Sequence, residues 1–195
     1  MDAIVKISDT DLSGVYVVES QIRGDTRGSF SRLFCNKELS SVIGSRTIVQ
    51  INQSKTAEKG TVRGLHYQNS PFAEMKLIRC LKGAVWDVAL DLREGSPTFL
   101  KWHAQELTQE NNLMMVIPEG VAHGFQTIKN DSELLYLHTE YYEPEHEAGV
   151  RHNDPMIAIE WPLNIKGMSD RDLSFPLLDN EFKGLKFNGL KGNKH

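Results

Sequence analysis

The sequence predicts an all-β domain, and three observations carry that expectation. Short runs rich in Val, Ile, Thr, Tyr and Trp recur along the chain, turn residues divide them, and no helical pattern alternates with them. Residues 14–18 (GVYVV) form the first run and residues 47–51 (TIVQI) the second. Residues 61–68, 74–81 and 84–92 follow, separated by Asn69-Ser70-Pro71 and by Lys82-Gly83. Residues 114–117, 123–128 and 133–142 complete the series. Strands at this spacing predict a sandwich or barrel. Helix-like pieces are confined to residues 36–43 and to the stretch between Ser169 and Phe182, which argues against a parallel α/β fold.

A chain of 195 residues suits one domain with a real core. Lys and Arg number 22 against 26 Asp and Glu, for a formal net charge of −4. With no basic block, this is a poor candidate for duplex nucleic acid. No apolar run approaches the roughly 18 residues of a membrane span. The opening MDAIVKISDTDL carries charges where a secretion signal needs an apolar run. Two cysteines, Cys35 and Cys80, make no disulfide framework, and a cytoplasmic location is expected.

Strand alternation assigns faces. In residues 84–92, Val85, Asp87, Ala89 and Asp91 share one face, and Trp86, Val88, Leu90 and Leu92 share the other. The second face should pack. The first, with two carboxylates, fits either a polar pocket or a half-exposed strand. In residues 133–142, Leu134, Tyr136, His138 and Glu140 share a face that fits either a site or solvent. Arg63 and His66 are separated by an odd offset, so a flat strand would put them on opposite faces. Gly64 between them marks a candidate bulge that re-aims one of the two.

Two stretches match a known spacing. Gly60 and His66 bracket TVRGL, and Pro118-x-Gly120-x-x-His123 follows downstream. Both resemble the motifs of the cupin superfamily, a double-stranded β-helix or jelly roll. Metal-binding cupins carry His-x-His and a following Glu. Here the first motif reads His66-Tyr67-Gln68, with Glu74 the nearest downstream acid. His66, Glu74 and His123 are three candidate ligands, but a neutral amide at Gln68 replaces an imidazole. A metal-free pocket is therefore the expectation.

A longer train of residues sharpens the resemblance. It comprises Arg63-Gly64-Leu65-His66-Tyr67-Gln68, Lys76-Leu77-Ile78-Arg79-Cys80, Asp87 to Arg93 and Ser96-Pro97-Thr98. It continues through Ile117 to Phe125, Tyr136, Tyr141-Tyr142-x-Pro144, Asn153-Asp154-Pro155, Ile159-Glu160-Trp161-Pro162 and Ser169-Asp170-Arg171-Asp172. From about residue 14 to about residue 180 the chain resembles the dTDP-4-dehydrorhamnose 3,5-epimerase family. The resemblance implies a homodimer of cupin jelly rolls with a few short peripheral helices and no metal or other cofactor. It implies action on a nucleotide-linked 4-keto-6-deoxyhexose. A single domain over residues 1–195 is expected, with a core of about 14–165 and a C-terminal segment, 166–195, packed near the site.

Site residues follow from the same resemblance. His66 is the implied base and Asp172 its carboxylate partner, which fixes the imidazole tautomer. Tyr136 is the implied acid, since a phenol is protonated at neutral pH. Lys76 would hold the enolate oxygen. Arg63 and His123 match residues placed around the pyrophosphate. Gln50 matches a glutamine of the nucleotide region, and Tyr142 and Ser169 are further expected substrate contacts. The run Arg23-Gly24-Asp25-Thr26-Arg27-Gly28, followed by Phe30, corresponds to a segment that reaches the neighbouring subunit's site. Arg27 and Phe30 are thus expected to bind substrate there.

Three positions depart from the family pattern. Arg32 stands where rhamnose-pathway members carry a glutamate aimed at thymine, and arginine can only donate, which suits cytosine better. Leu137 replaces a frequent lysine. His138, on the face of Tyr136, replaces a small apolar residue. The expected function is epimerisation at C3, C5 or both by acid/base proton transfer through an enolate. The alternatives are a one-centre epimerase on a CDP- or GDP-linked sugar, a metal-dependent cupin using His66, Glu74 and His123, or a sugar-binding cupin without chemistry.

Overall fold

The computed structural model describes residues 5–186, and the remarks below concern those residues. In chain order the elements are β1 (Val5–Asp9), β2 (Tyr16–Ser20), β3 (Ile22–Asp25), β4 (Gly28–Ser31), α1 (Ser40–Ile43), β5 (Gln50–Thr56), β6 (Val62–Gln68) and β7 (Lys76–Lys82). They continue as β8 (Ala84–Asp91), β9 (Trp102–Thr108), β10 (Leu113–Ile117), β11 (Val121–Thr127), β12 (Ser132–His138), β13 (Glu147–Gly149) and α2 (Asp170–Ser174). One sheet runs β1-β2-β10-β7-β12-β5 and the other β13-β6-β11-β8-β9, with every neighbouring pair antiparallel. β3 and β4 pair only with each other.

The two sheets face each other across an apolar layer. Ile78, Cys80, Met115, Ile117 and Leu134 of the first sheet meet Val85, Ala89, Leu107, Val121 and Phe125 of the second. Unlike a sandwich with wet outer faces, both outer faces are also covered. Leu77, Met114, Val116 and Leu137 pack under Leu39 and Ile43 beside α1. Val88, Leu90 and Leu92 pack under the C-terminal stretch through Ile157, Trp161, Leu178 and Phe182. Burial on both sides explains why β10 reads LMMVI with no polar residue to alternate.

Several expectations change. Asp87 and Asp91 are both 0% exposed, so the half-exposed reading of their face is wrong. Asp91 is held by the Arg93 guanidinium and by the Ser96 and Thr98 hydroxyls as the chain turns out of β8. The expected strand at 47–51 is displaced to Gln50–Thr56, because Ile48 is spent packing against the cluster around α1 rather than pairing. The expected strand at 133–142 stops at His138. β1, β3, β4, β9 and β13 were not foreseen. Of the helix expected at 36–43, only Ser40–Ile43 forms, closed by Gly44 at φ 61°.

Candidate active site

Along β7 the interior positions read Lys76, Ile78, Cys80, and along β12 they read His138, Tyr136, Leu134. The two strands pair His138 with Lys76 and Tyr136 with Ile78. The interior is therefore polar at one end and apolar at the other. At the polar end a cavity of about 290 Å³ opens between the sheets, lined among others by Arg63, His66, Lys76, His123, Tyr136 and His138.

His66 and Arg63 share this cavity because β6 is bulged. Opposite β11, His123 faces His66 and Phe125 faces Arg63, so β6 carries one extra residue in that interval. Gly64 makes the turn at φ 113°, and a Cβ there would lie 2.5 Å from Gly124 Cα and 2.7 Å from His123 O. The bulge also frees the Gly64 amide, which donates to Asp172 Oδ2 at 3.2 Å. The other oxygen, Oδ1, accepts from His66 Nε2 at 2.7 Å. Asp172 lies in the first turn of α2, where Ser169 Oγ caps the helix by accepting from the Asp172 amide at 3.1 Å. Burial pushes the Asp172 carboxyl up, but the bonds from His66, Gly64 and Ser169 outweigh it and hold the group below its ordinary value. An ionised Asp172 fixes the proton on Nε2 and leaves Nδ1 of His66 as the basic nitrogen. The Phe175 edge closes against the imidazole at 5.8 Å between ring centroids.

Tyr136 comes from the opposite sheet. Its hydroxyl bonds Ser54 Oγ at 3.1 Å, and burial holds the phenol well above its ordinary value, so it stays protonated. Lys76 Nζ sits 3.1 Å from Glu74 Oε1 and donates to His66 O at 3.3 Å. Glu74 Oε2 accepts from His138 Nδ1 at 2.6 Å. Burial raises Glu74, yet His138 and Lys76 together hold it below the usual carboxylate value. His123 Nε2 pairs with Asp87 Oδ1 at 2.7 Å, beside a carboxyl that burial pushes up. Arg63 donates through Nε to Thr56 Oγ1 at 3.1 Å.

His66 and Tyr136 thus stand on facing sheets of one cavity that Lys76 also lines. The family model described as dTDP-4-dehydrorhamnose 3,5-epimerase matches residues 9–180. The chain is 44% identical over 168 residues to the dTDP-4-dehydrorhamnose 3,5-epimerase of Sinorhizobium fredii, covering 86% of each chain. Among solved structures, the Bacillus anthracis enzyme of that name, with TDP and PPi bound, is similar at TM-score 0.86 and 39% identity, covering 89% of this chain and 99% of that one. A Legionella pneumophila dTDP-6-deoxy-D-glucose-3,5-epimerase in complex with dTDP-4-keto-L-rhamnose matches at TM-score 0.86 and 37% identity, covering 94% and 99%.

This chain belongs to the dTDP-4-dehydrorhamnose 3,5-epimerase family. It is an isomerase with the cupin jelly-roll fold of that family.

Of the site residues expected from the epimerase sequence, His66, Tyr136, Lys76, Arg63, His123, His138 and Tyr142 all line the cavity. Asp172 and Ser169 stand behind His66 and line an adjoining hollow of about 550 Å³ that shares Arg63 and His66. Gln50 lies at the rim, where its Oε1 accepts from the Tyr142 amide at 3.1 Å. Arg27, Phe30 and Arg32 are not brought to this cavity. Arg27 bonds Asp25 on the β3–β4 turn, Phe30 is 70% exposed, and Arg32 pairs with Glu38 at 2.6 Å. The three candidate metal ligands diverge, since His66 goes to Asp172, His123 to Asp87 and Glu74 to His138. Among the described residues no three His, Cys, Asp or Glu side chains converge as metal ligands. Among the described residues no helix is long and apolar enough to cross a membrane.

Asn52, Ser54 and Glu147 also line the cavity and were not foreseen. Glu147 ties the rim together, accepting from Tyr142 Oη at 2.5 Å and pairing with Arg171 of α2. Asn52 and Ser54 alternate with Ile51 and Gln53 along β5, and that period was the available signal.

Proposed function

We propose that this epimerase inverts C3, C5 or both in a nucleotide-linked 4-keto-6-deoxyhexose, with His66 as base and Tyr136 as acid. The observation that supports the reading is that these two groups line facing sheets of one cavity, the imidazole bonded to the Asp172 carboxylate and the phenol kept protonated by burial. His66 Nδ1 takes the proton from the carbon beside the ketone. The C–H electron pair moves into the carbonyl, and the enolate oxygen gathers charge near the Lys76 ammonium, whose burial strengthens the attraction. Tyr136 delivers its proton to the other face of the same carbon. The resulting phenolate is reprotonated from solvent, and the imidazolium loses its proton in turn. The reaction needs no cofactor.

Arg63 and His123 would meet the diphosphate. The nucleotide favoured by the relatives' bound ligands is a thymidine diphosphate. We assign the β3–β4 hairpin to the neighbouring subunit's site in a homodimer, because it pairs with no other strand of its own chain and leaves Phe30 bare. Two free cysteines suit a reducing, cytoplasmic setting. Incubation with a dTDP-linked 4-keto-6-deoxyglucose in deuterium oxide tests the reading. Proton NMR should show deuterium entering at the carbons flanking the ketone, followed by a changed coupling pattern at the inverted centres. An unchanged spectrum overturns it.

A further inference from the structure

One wall of the cavity holds an imidazole that the proton transfers leave unused. His138 follows Tyr136 on the interior face of β12, its ring stacked on the phenol at 6.0 Å and 15° between planes. Nδ1 is engaged by Glu74 at 2.6 Å. The Lys76 ammonium at its other oxygen keeps that carboxylate ionised and able only to accept, so Nδ1 carries the proton. In the neutral ring Nε2 is then an acceptor. It accepts a long hydrogen bond from Nδ2 of Asn52, at 3.3 Å across the β5–β12 pair, which a hydroxyl inserted between the two would replace with two shorter ones. Both residues line the cavity.

An acceptor and a donor set side by side complement one hydroxyl group, which donates through its hydrogen and accepts on its oxygen. Building on the epimerase reading, we propose that His138 and Asn52 recognise a ring hydroxyl of the sugar, with Glu74 as the positioning residue that fixes the imidazole tautomer. Glu74 serves two neighbours at once, since its other oxygen faces Lys76. The hydroxyl contact and the ammonium beside the ketone are therefore set by one carboxylate. An analogue that lacks the hydroxyl forfeits both of these bonds and leaves the imidazole and the amide with only their long mutual one.

The experiment compares deuterium exchange beside the ketone for the parent 4-keto sugar nucleotide and for its 2-deoxy and 3-deoxy analogues. The wild type should lose about 5- to 20-fold in kcat/KM with one of the two analogues, the worth of one or two net hydrogen bonds. His138→Phe should bring that ratio close to one, with circular dichroism showing the fold retained despite the loss of a partner for Glu74, whereas His138→Gln, whose carbonyl still accepts, should keep part of it. Asn52→Leu, on a solvent-accessible stretch of β5, should reduce the same ratio independently of the core packing around His138. Equal handling of all three substrates by the wild type overturns the proposal. So does a His138→Phe variant that slows every substrate equally. Absence of exchange with the parent sugar overturns the epimerase reading itself.

Discussion

Two regions of the molecule were both expected to touch substrate, and they are built in opposite ways. In the cavity between the sheets the ionisable side chains are tied to partners within their own chain: His66 with Asp172, His138 and Lys76 with Glu74, His123 with Asp87, Arg63 with Thr56 and Glu147 with Arg171. In the β3–β4 hairpin Arg27 finds only Asp25 two residues away, and the large apolar side chain, Phe30, is 70% exposed. The first region is preorganised for chemistry, with its bonds in place before any ligand arrives. The second has the character of an arm whose counterpart lies on another molecule. The difference teaches where to test each half of the proposed function: proton transfer within the cavity of one chain, and the hairpin's role by mixing subunits.

The comparison breaks most visibly at His66. His66→Asn keeps a hydrogen-bonding side chain but removes the base, and solvent exchange should fall by about 10²- to 10⁴-fold. Circular dichroism should show an unchanged fold. A mixing experiment then separates the two regions. The double variant Arg23→Ala/Phe30→Ala should bind substrate poorly yet retain its base, while His66→Asn retains its hairpin. If hairpins serve the partner's site, subunits exchanged at equal amounts should recover about a quarter of the wild-type sites, since half the dimers are mixed and each has one intact site. Activity no greater than the sum of the parents would leave the hairpin serving its own chain.

Much of this was legible in the sequence, and the failures have physical causes. That His66, Tyr136, Lys76 and His123 line one cavity was legible only through the family resemblance, which named them together although they lie far apart in the chain. The bulge at Gly64 was legible as a conflict between the spacing of Arg63 and His66 and the flat pleat. β5 was misplaced because its interior positions are Asn52 and Ser54, polar residues that serve the cavity, so the apolar run at Ile48 drew the assignment three residues early. β8 was misread on one face because the buried Asp87 and Asp91 mimic a wet surface until their partners are known. β1, β3 and β4 are short edge or isolated strands with too few apolar residues for periodicity to register.

Two further changes sharpen the contrast at smaller scale. Gly64→Ala would force a Cβ into Gly124 at a left-handed φ, and a cost of about 1–3 kcal/mol should appear in chemical denaturation. Asp172 gives a pH signature. Its folded value lies below its ordinary 3.8, so it contributes stability that is present above the ordinary value and lost as pH falls through the lowered one. Asp172→Asn should therefore lower stability at neutral pH and flatten the loss below about pH 4, as followed by thermal melts across pH. At the far end of the scale, Arg27→Ala should leave the melting temperature of the free enzyme unchanged, because its ion pair is open to solvent.

The central claim is that the two faces of the cavity do different work, abstraction from the His66 side and protonation from the Tyr136 side. The most direct test follows deuterium uptake and net inversion separately, on one sample, in Tyr136→Phe. The account predicts that this variant, with His66 intact, still exchanges the proton beside the ketone while inversion is lost. Equal loss of exchange and inversion in Tyr136→Phe, with the fold preserved, would contradict it.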